Sequence, residues 1–460
     1  MRSSRRAIVC GGSIAGLLAA RVLSSHCDEV IVLERDLCAG GTEARKGVPQ
    51  SRHVHGLLPH GSAVLEKLFP GLLGDLESNG AVTADIGADT LWFQFGGYKN
   101  RSRIGLVGHL QSRPLLEELI RRRCLTRSNV RVQDGWEVMG PLANTDRSAV
   151  VGVSVLEKKG GLLEQIEGDL IVDAMGRGSQ AGRWLETLGY VRSYETCVRV
   201  DLGYTTRLYR RRPGDLGGAK MCLIYPTPPD DRRLAAALPI EGDRWIVTLA
   251  GWLGDHAPAD EEGFLAFARS LAAPDIHDLV RAAEPTSGFM TYKFASSLRR
   301  HYEALDRLPR GFLVLGDALC SFNPVYGQGM TLAALEAEAL ERVLEEETGR
   351  RDWTNLPRAF YHKSARPIDA AWSLAAGEDF RHPGVDGHRP PGYAAMSWYV
   401  GRVHEAVTAD PEVQRVFYGV MDMTSSPAAL LRPGIARRVL QHWLGTRRSI
   451  AFGRTAHSGP

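Results

Sequence analysis

Six residues near the start of the chain include three glycines, a serine and an alanine: Gly11-Gly12-Ser13-Ile14-Ala15-Gly16. They follow the apolar run 7–10 and precede apolar positions at helical spacing in 17–23. Glycine allows a tight turn, and the start of the next helix offers unpaired N–H groups and a partial positive charge to a pyrophosphate. Glu34 ends the next apolar run, where it can accept hydrogen bonds from an adenosine ribose. Ser13 replaces the second glycine of G-x-G-x-x-G, and this pattern alone fits either FAD or NAD.

A second glycine pattern lies 300 residues downstream. The apolar run 311–315 is followed by Gly316 and Asp317, then by Pro324 and the loop Gly327-Gln328-Gly329-Met330. An aspartate at a strand end can bind a ribityl or ribose hydroxyl, and the loop glycines allow backbone N–H groups to approach a flat ring. The helix predicted for 332–346 would stabilise negative charge on a reduced flavin by about 1 to 2 kcal/mol. The two patterns together indicate FAD.

Both patterns resemble the FAD-dependent monooxygenase superfamily, which contains aromatic hydroxylases and squalene epoxidase. Within it the chain is most similar to the flavin epoxidases of polyether biosynthesis, of the lasalocid and monensin type. Besides the two glycine patterns, the segments that carry the resemblance are 45–50 (RKGVPQ), 52–55 (RHVH), 173–179 (DAMGRGS) and 244–248 (RWIVT).

The resemblance implies a role for particular residues. Gly11 to Gly16, with Glu34 and Arg35, would hold the ADP half of FAD. Arg113 would lie near the pyrophosphate, Arg45 beside the flavin, and Asp317 at the ribityl chain. Pro324 and the residues Gly327, Gln328, Gly329 and Met330 would border the isoalloxazine. For Arg45 and Arg113, surface salt bridges explain the sequence equally well.

The activity implied by the resemblance is monooxygenation through a flavin C4a-hydroperoxide. One oxygen atom of O2 would pass to an apolar, electron-rich secondary metabolite, with alkene epoxidation first and aromatic or polyketide ring hydroxylation as the alternative. A reductase, a halogenase or a non-catalytic FAD protein are further alternatives, although the Trp-x-Trp-x-Ile-Pro segment of halogenases is missing. No catalytic side chain is evident; His53 and His55 are flavin-side candidates, with a structural role as the alternative.

The electron source is left open by the sequence. Aromatic hydroxylases carry an aspartate where this chain has Met175, in a region shared by FAD and reduced nicotinamide. There is also no second strand–GxGxxG–helix pattern. We therefore expect NADPH or NADH to act either directly or through a partner flavin reductase.

The expected fold is α/β, with a Rossmann-like FAD-binding domain, an inserted antiparallel substrate sheet and a C-terminal helical region. The FAD-binding domain is predicted to combine 1–80, 101–190 and 305–350. The sheet is predicted from 81–100 and 191–304, and the helical region from 351–460. Alternating apolar residues predict the sheet, which would form a wall of the substrate cavity. Phe93 and Trp245 are candidate substrate contacts, although core packing explains both.

Composition excludes several classes of protein. The 460 residues include 56 basic and 53 acidic side chains, a net charge of +3 without a clustered basic patch, so nucleic acid is not the expected partner. Seven scattered cysteines without a Cys-x-x-Cys pair predict neither disulfides nor a metal site. No apolar run is long enough for a transmembrane segment, and we expect a cytoplasmic protein.

Overall fold

The computed structural model describes residues 4–38, 45, 47–347 and 353–455, with side chains described as far as residue 446. The chain forms two units. Unit 1 contains the described residues of Met1–Ala81, Gln111–Arg199 and Ala295–Trp372. Unit 2 contains those of Val82–Leu110, Val200–Phe294 and Ser373–Pro460.

The helices of the described residues, in chain order, are α1 (Ile14–Leu23), α2 (Pro59–Leu68), α3 (Leu72–Ser78), α4 (Arg113–Leu125), α5 (Ala181–Thr187), α6 (Glu261–Arg269), α7 (Asp275–Ala282), α8 (Gly329–Glu346), α9 (Leu356–Asp379), α10 (Tyr393–Ala406), α11 (Pro411–Met421) and α12 (Pro433–Thr455).

The strands are β1 (Arg6–Cys10), β2 (Glu29–Glu34), β3 (Val82–Asp85), β4 (Thr90–Gln94), β5 (Gly97–Tyr98), β6 (Val107–Leu110), β7 (Val130–Asp134), β8 (Trp136–Ala143), β9 (Val150–Glu157), β10 (Leu163–Glu167), β11 (Leu170–Asp173), β12 (Glu195–Arg210), β13 (Met221–Ile224), β14 (Arg233–Ile240), β15 (Arg244–Gly251), β16 (Met290–Arg300), β17 (Phe312–Val314) and β18 (Cys320–Ser321). By sequence, β12 and β16 each run from one unit into the other.

Unit 1 is built on a parallel five-stranded sheet in the order β17-β11-β1-β2-β7. Its central strands are short apolar runs that are buried on both faces, as parallel strands between helices must be. Helix α1 packs against α4 and α8, and α2 packs against α8. An antiparallel sheet of β10, β9 and β8 completes the unit.

Unit 2 contains a sheet with the strand order β12-β15-β14-β13-β4-β5. Adjacent strands of this sheet pair in antiparallel fashion, except that β13 and β4 are parallel to each other. Helices α6 and α7 pack on one face, over a core that includes Tyr209, Trp245 and Val247. A second apolar cluster joins Trp92 of β4 to α10, α11 and α12.

The predicted α/β fold class, with an antiparallel sheet and C-terminal helices, is confirmed. The predicted domain boundaries stay a prediction; the two units divide the predicted C-terminal region within α9, between residues 372 and 373. None of the helices in the described part of the chain combines the length and the apolar character needed to cross a bilayer.

Candidate functional site

The carboxyl ends of the parallel strands bring distant polar residues to one edge of unit 1. Cys10, at the end of β1, pairs with Leu33 of β2 and with Asp173 of β11. Asp173 in turn pairs with Val314 of β17. The turns that follow these strands therefore begin side by side, which is where open α/β sheets bind their ligands.

The turn after β1 is closed so tightly that two of its glycines cannot be replaced without movement. Gly11 has a φ of +107°, and a Cβ atom there would lie 2.6 Å from the carbonyl oxygen of Ala174. A Cβ atom on Gly16 would lie 1.9 Å from the carbonyl oxygen of Gly11. Ser13 precedes α1 without capping it through its side chain. The first turn of α1 thus presents backbone N–H groups at the edge of the sheet.

Glu34 and Arg45 meet at this turn. Glu34 is 6% exposed and accepts hydrogen bonds from the backbone N–H groups of Gly12 and Asp36, each at 2.9 Å. The guanidinium of Arg45 forms ion pairs with Glu34 at 2.8 Å and with Glu117 of α4. These two carboxylates raise the pKa of Arg45 against the opposing effect of its burial. The structure therefore brings Arg45 to the glycine turn through a buried ion pair.

Arg113, the first residue of α4, reaches the same turn from another direction. Its Nη2 donates to Ser13 Oγ at 3.1 Å, and Ser13 Oγ donates to Glu117 at 2.7 Å. Its Nη1 lies 3.2 Å from Nε2 of His55, while Nδ1 of His55 lies 3.0 Å from the carbonyl oxygen of His53. Because Nε2 must accept from Arg113, the proton of His55 is assigned to Nδ1. Burial, with the charge of Arg113, lowers the pKa of His55 to about 3, so this imidazole is neutral.

The second glycine pattern packs directly on the first. Gly316 has a φ of +65°, and a Cβ atom there would lie 2.7 Å from Cβ of Ala15 in α1. Asp317 is accessible to solvent although protein surrounds it on most sides, as expected of a side chain in a cleft. Those surroundings raise the pKa of its carboxyl, and the charges of Arg113 and Arg177 oppose the increase.

A fully buried carboxyl supports this turn. Oε2 of Glu336 in α8 accepts a hydrogen bond from the backbone N–H of Gly316 at 2.5 Å. Burial raises the pKa of Glu336 to about 8, and the charge of Asp317 adds to the increase. Glu336 is therefore mostly protonated at neutral pH. Its effect is to hold the Gly316–Asp317 turn in place.

The loop before α8 borders the segment that follows His55. A Cβ atom on Gly56 would lie 3.8 Å from Cα of Gly327, and Leu58 N–H donates to Thr331 Oγ1 at 3.2 Å. Gln328 is fully buried, and neither atom of its side-chain amide has a hydrogen-bond partner in the described residues. Buried amides are almost always paired. Gln328 is thus a polar group at this loop that a ligand can satisfy.

The acid nearest to Met175 is occupied by its own loop. Asp173 is fully buried and accepts from Ser179 Oγ at 2.5 Å and from the backbone N–H of Met175 at 2.9 Å. Burial raises the pKa of Asp173 to about 6, although both hydrogen bonds oppose the increase. Asp173 therefore shapes the turn after β11 and is not presented to solvent.

Arg35, His53 and Pro324 are the other predicted site residues of unit 1. Arg35 is exposed, with its guanidinium about 3.1 Å from a Cβ position on Gly47. His53 is 5% exposed, and burial lowers its pKa to about 4. Pro324 begins a short 3-10 turn held by Asn323, whose Oδ1 accepts from Val325 N–H at 3.2 Å. The roles predicted for these residues stay predictions.

Phe93 and Trp245 belong to unit 2 and pack on the face of its sheet covered by α6 and α7. Trp245 is 1% exposed, and its Nε1 donates to Asp215 at 2.8 Å. This is the packing role that the sequence left open for both residues, and their assignment to substrate stays a prediction. On the opposite face, Gln94 is 5% exposed, and its Oε1 has no partner in the described residues.

Two residues that the structure places at the site, Glu117 and Glu336, were not predicted from the sequence. Glu117 follows Arg113 by one helical turn, which is the only sequence signal that it shares a face with that arginine. Glu336 lies in an amphipathic helix, where a single polar residue carries no signal of its own. Only its burial and its hydrogen bond to Gly316 identify it.

No family model matches the chain. Solved structures resemble it over nearly its whole length. The flavin-dependent brominase Bmp2 superposes with a TM-score of 0.67 at 13% identity, covering 96% of this chain and 99% of that one. CmlS, a flavin-dependent halogenase, superposes with a TM-score of 0.66 at 18% identity, covering 97% of this chain and 78% of that one. The structure of pqsL, a probable FAD-dependent monooxygenase from Pseudomonas aeruginosa, superposes with a TM-score of 0.61 at 18% identity, covering 91% of this chain and 100% of that one. At these identities the likeness is one of fold, and the chain has the fold that FAD-dependent monooxygenases share with flavin-dependent halogenases.

A curated protein is similar in sequence as well. Protein Rv3254 of Mycobacterium tuberculosis is 34% identical over 348 residues, which cover 74% of this chain and 73% of that protein. The chain therefore belongs to the same family as Protein Rv3254.

Proposed function

We propose that this protein is an FAD-dependent monooxygenase that inserts one oxygen atom from O2 into an apolar, electron-rich small molecule, and that the reaction is alkene epoxidation. The observation that carries the proposal is the close approach of Gly316 to Ala15. It joins two glycine patterns that lie 300 residues apart into one continuous edge. The first pattern alone would serve either FAD or NAD, whereas the second adds glycines whose backbone N–H groups can approach the flat ring of a flavin.

The described residues fit such a group. Gly11 and Gly16 leave a cradle that side chains would fill, and the buried amide of Gln328 lacks a partner beside the Gly327 turn. Arginine side chains and a helix N-terminus supply positive charge at the first pattern, as a pyrophosphate requires. The residues that would hold FAD are Gly11 to Gly16, Glu34, Arg45, Arg113, Asp317 and Gly327 to Met330, with Arg35 and Pro324 at the margins.

Each group at the edge has a distinct task. Glu34 is oriented by Gly12 N–H and keeps acceptor capacity for ribose hydroxyls. Arg113 is held between His55 and Ser13, so its charge stays directed at the turn. The N-terminus of α8 begins at Gly329, and its dipole favours negative charge on a reduced ring by about 1 kcal/mol. FAD, when bound and reduced, supplies activated oxygen from O2.

The supply of electrons is the second part of the proposal. Because Met175 replaces an acid and Asp173 is engaged by Ser179, the turn after β11 offers no free carboxylate to a nicotinamide. We therefore propose a partner flavin reductase as the electron donor, with NADPH or NADH as the ultimate source. Direct reduction by NADPH or NADH is the alternative.

One experiment tests both parts. The purified protein is reconstituted with FAD and then reduced anaerobically with NADPH or NADH while the flavin absorbance bands are followed. Failure to retain FAD contradicts the whole proposal. Bleaching only after a flavin reductase is added supports a partner donor, whereas rapid bleaching by the nicotinamide alone refutes it.

The type of oxygen transfer is tested with labelled O2. The reduced protein is offered apolar polyenes and phenols under ¹⁸O2, and products are examined by mass spectrometry. An epoxide that carries one labelled oxygen supports epoxidation. A labelled phenolic hydroxyl indicates ring hydroxylation instead, and product without label indicates a reductase.

Halogenation is a second candidate because the brominase Bmp2 and the halogenase CmlS share this fold. The chain lacks the Trp-x-Trp-x-Ile-Pro segment that halogenases carry, which favours oxygen transfer. Adding chloride or bromide to the same assay separates the two activities. A halogenated product that depends on the halide would replace the proposal of epoxidation.

A further inference from the structure

Unit 2 exposes a set of large apolar side chains on α10, on α12 and on the turn between α11 and α12. The turn is Pro427–Leu431, which directly precedes α12. The exposed side chains are Met396 (46%), Trp398 (46%), Leu431 (48%), Leu440 (38%) and Leu444 (52%). Single exposed apolar residues are ordinary, but a contiguous group of them marks an interaction surface.

Trp398, Leu440 and Leu444 belong to one surface. Helix α10 packs against α12, and the rings of Trp398 and Trp443 meet edge to face with centroids 5.3 Å apart. Leu440 and Leu444 are four residues apart on α12 and therefore lie on one face. Val439 is fully buried among the helices of unit 2, so the two leucines form an outward stripe.

The charge of the same region has one sign. From residue 423 to the end of the chain the sequence contains six arginines and no aspartate or glutamate. Arg432 and Arg437 are exposed at the start of α12 and have no carboxylate partner among the described residues. With Arg415 and Arg438 they line a cavity of about 710 Å³ that contains a single acid, Glu412. The other two arginines are already paired, Arg415 with Glu412 and Arg438 with Asp410.

We propose that this face, formed by α10, the 427–431 turn and α12, docks on the surface of an anionic phospholipid bilayer. An interfacial helix places leucine and tryptophan at the boundary of headgroups and acyl chains, while flanking arginines bind lipid phosphates. Leu440 and Leu444 supply the apolar part of that pattern, and the unpaired Arg432 and Arg437 supply the charge. The helix lies along the surface and does not cross it.

Charge also argues against a second copy of the chain as the occupant. A symmetric dimer would place Arg432 and Arg437 of both copies in one interface without carboxylates to pair with them, and like charges across an interface repel. An anionic lipid surface instead neutralises them.

Flotation of the full-length protein with unilamellar vesicles tests the proposal. We expect at least about tenfold more protein on vesicles with about 30% phosphatidylglycerol than on pure phosphatidylcholine at about 0.1 M salt, because screening is then weak. Binding should fall steeply at about 0.5 M salt. Equal binding to both vesicles, or no binding to either, overturns the proposal.

Two double variants and a matched control assign the effect to this face. Leu440→Gln/Leu444→Gln and Arg432→Gln/Arg437→Gln should each reduce binding by about tenfold. Leu162→Gln/Leu163→Gln changes two leucines of unit 1 that are 51% and 63% exposed, and it should leave binding unchanged. All six positions are exposed, and unchanged circular dichroism and melting temperature verify folding. The proposal is overturned if the control variant loses vesicle binding or if both test variants retain it. It is also overturned if sedimentation shows a dimer that Leu440→Gln/Leu444→Gln dissociates.

Discussion

The buried carboxyl of Glu336 should make the protein less stable as the pH rises, and replacement by glutamine should remove that dependence. In the folded chain Glu336 keeps its proton up to a pKa of about 8, whereas the unfolded side chain releases it near its ordinary value of 4.5. Its contribution to stability is therefore complete below pH 4.5 and is lost progressively as the pH rises toward 8.

The size of the effect follows from the same two values. Each tenfold change in proton affinity corresponds to about 1.4 kcal/mol, so the free energy of unfolding should fall by at most about 1.4 kcal/mol per pH unit in this window. Between pH 4.5 and pH 8 the free energy of unfolding should fall by a total on the order of 5 kcal/mol. Glu336→Gln keeps an oxygen that can accept from Gly316 N–H and does not titrate. Its stability relative to the wild type should therefore rise across the window. Glu336→Leu should be less stable than Glu336→Gln by about 1 to 3 kcal/mol at every pH, because neither side chain titrates and leucine leaves the N–H of Gly316 unpaired.

Urea unfolding, followed by circular dichroism at several pH values between about 5 and about 8.5, measures this difference. The other titrating groups are common to both proteins, so most of their contributions cancel in the comparison. If the free energies of unfolding of Glu336→Gln and the wild type run parallel across the window, then Glu336 is not a protonated buried acid and the reasoning fails.

Three further predictions concern the proposed FAD site. Gly16→Ala places a methyl group 1.9 Å from the carbonyl oxygen of Gly11 and should weaken FAD binding by more than about tenfold in a fluorescence titration. The control variant Gly74→Ala, with no atom within 4 Å of its Cβ, should bind FAD as the wild type does. Equal affinities of the two variants would contradict a tight turn at Gly16. His55→Leu removes the acceptor of Arg113 and should raise the Kd for FAD by about tenfold. His55→Gln, whose side-chain oxygen can accept from Arg113, should restore most of the lost affinity. Equal Kd values for the two variants would exclude a positioning role for His55. Met175→Asp should speed anaerobic bleaching by NADPH without a reductase, and an unchanged rate would show that Met175 is not the obstacle.

Local signals were sufficient for much of unit 1. The predicted strand, turn, helix and strand around the first glycine pattern appear as β1, α1 and β2, because glycine punctuation and apolar runs act within a few residues. The helix after the second pattern begins three residues earlier than expected, at Gly329. Helix α11 also has a local start signal in the sequence, because Asp410 caps it and Pro411 is its first residue.

The sequence by itself determined that two glycine patterns, Glu34 and Asp317 lie at strand ends, and hence the α/β fold. Only the tertiary structure decided which distant groups complete the site, because parallel pairing of β1, β11 and β17 is what brings Gly316 against Ala15. The ion pair of Arg45 with Glu117 and the hydrogen bond from Gly316 to Glu336 span long loops or whole helices. Such contacts depend on how elements pack, and no local pattern of residue types encodes that packing.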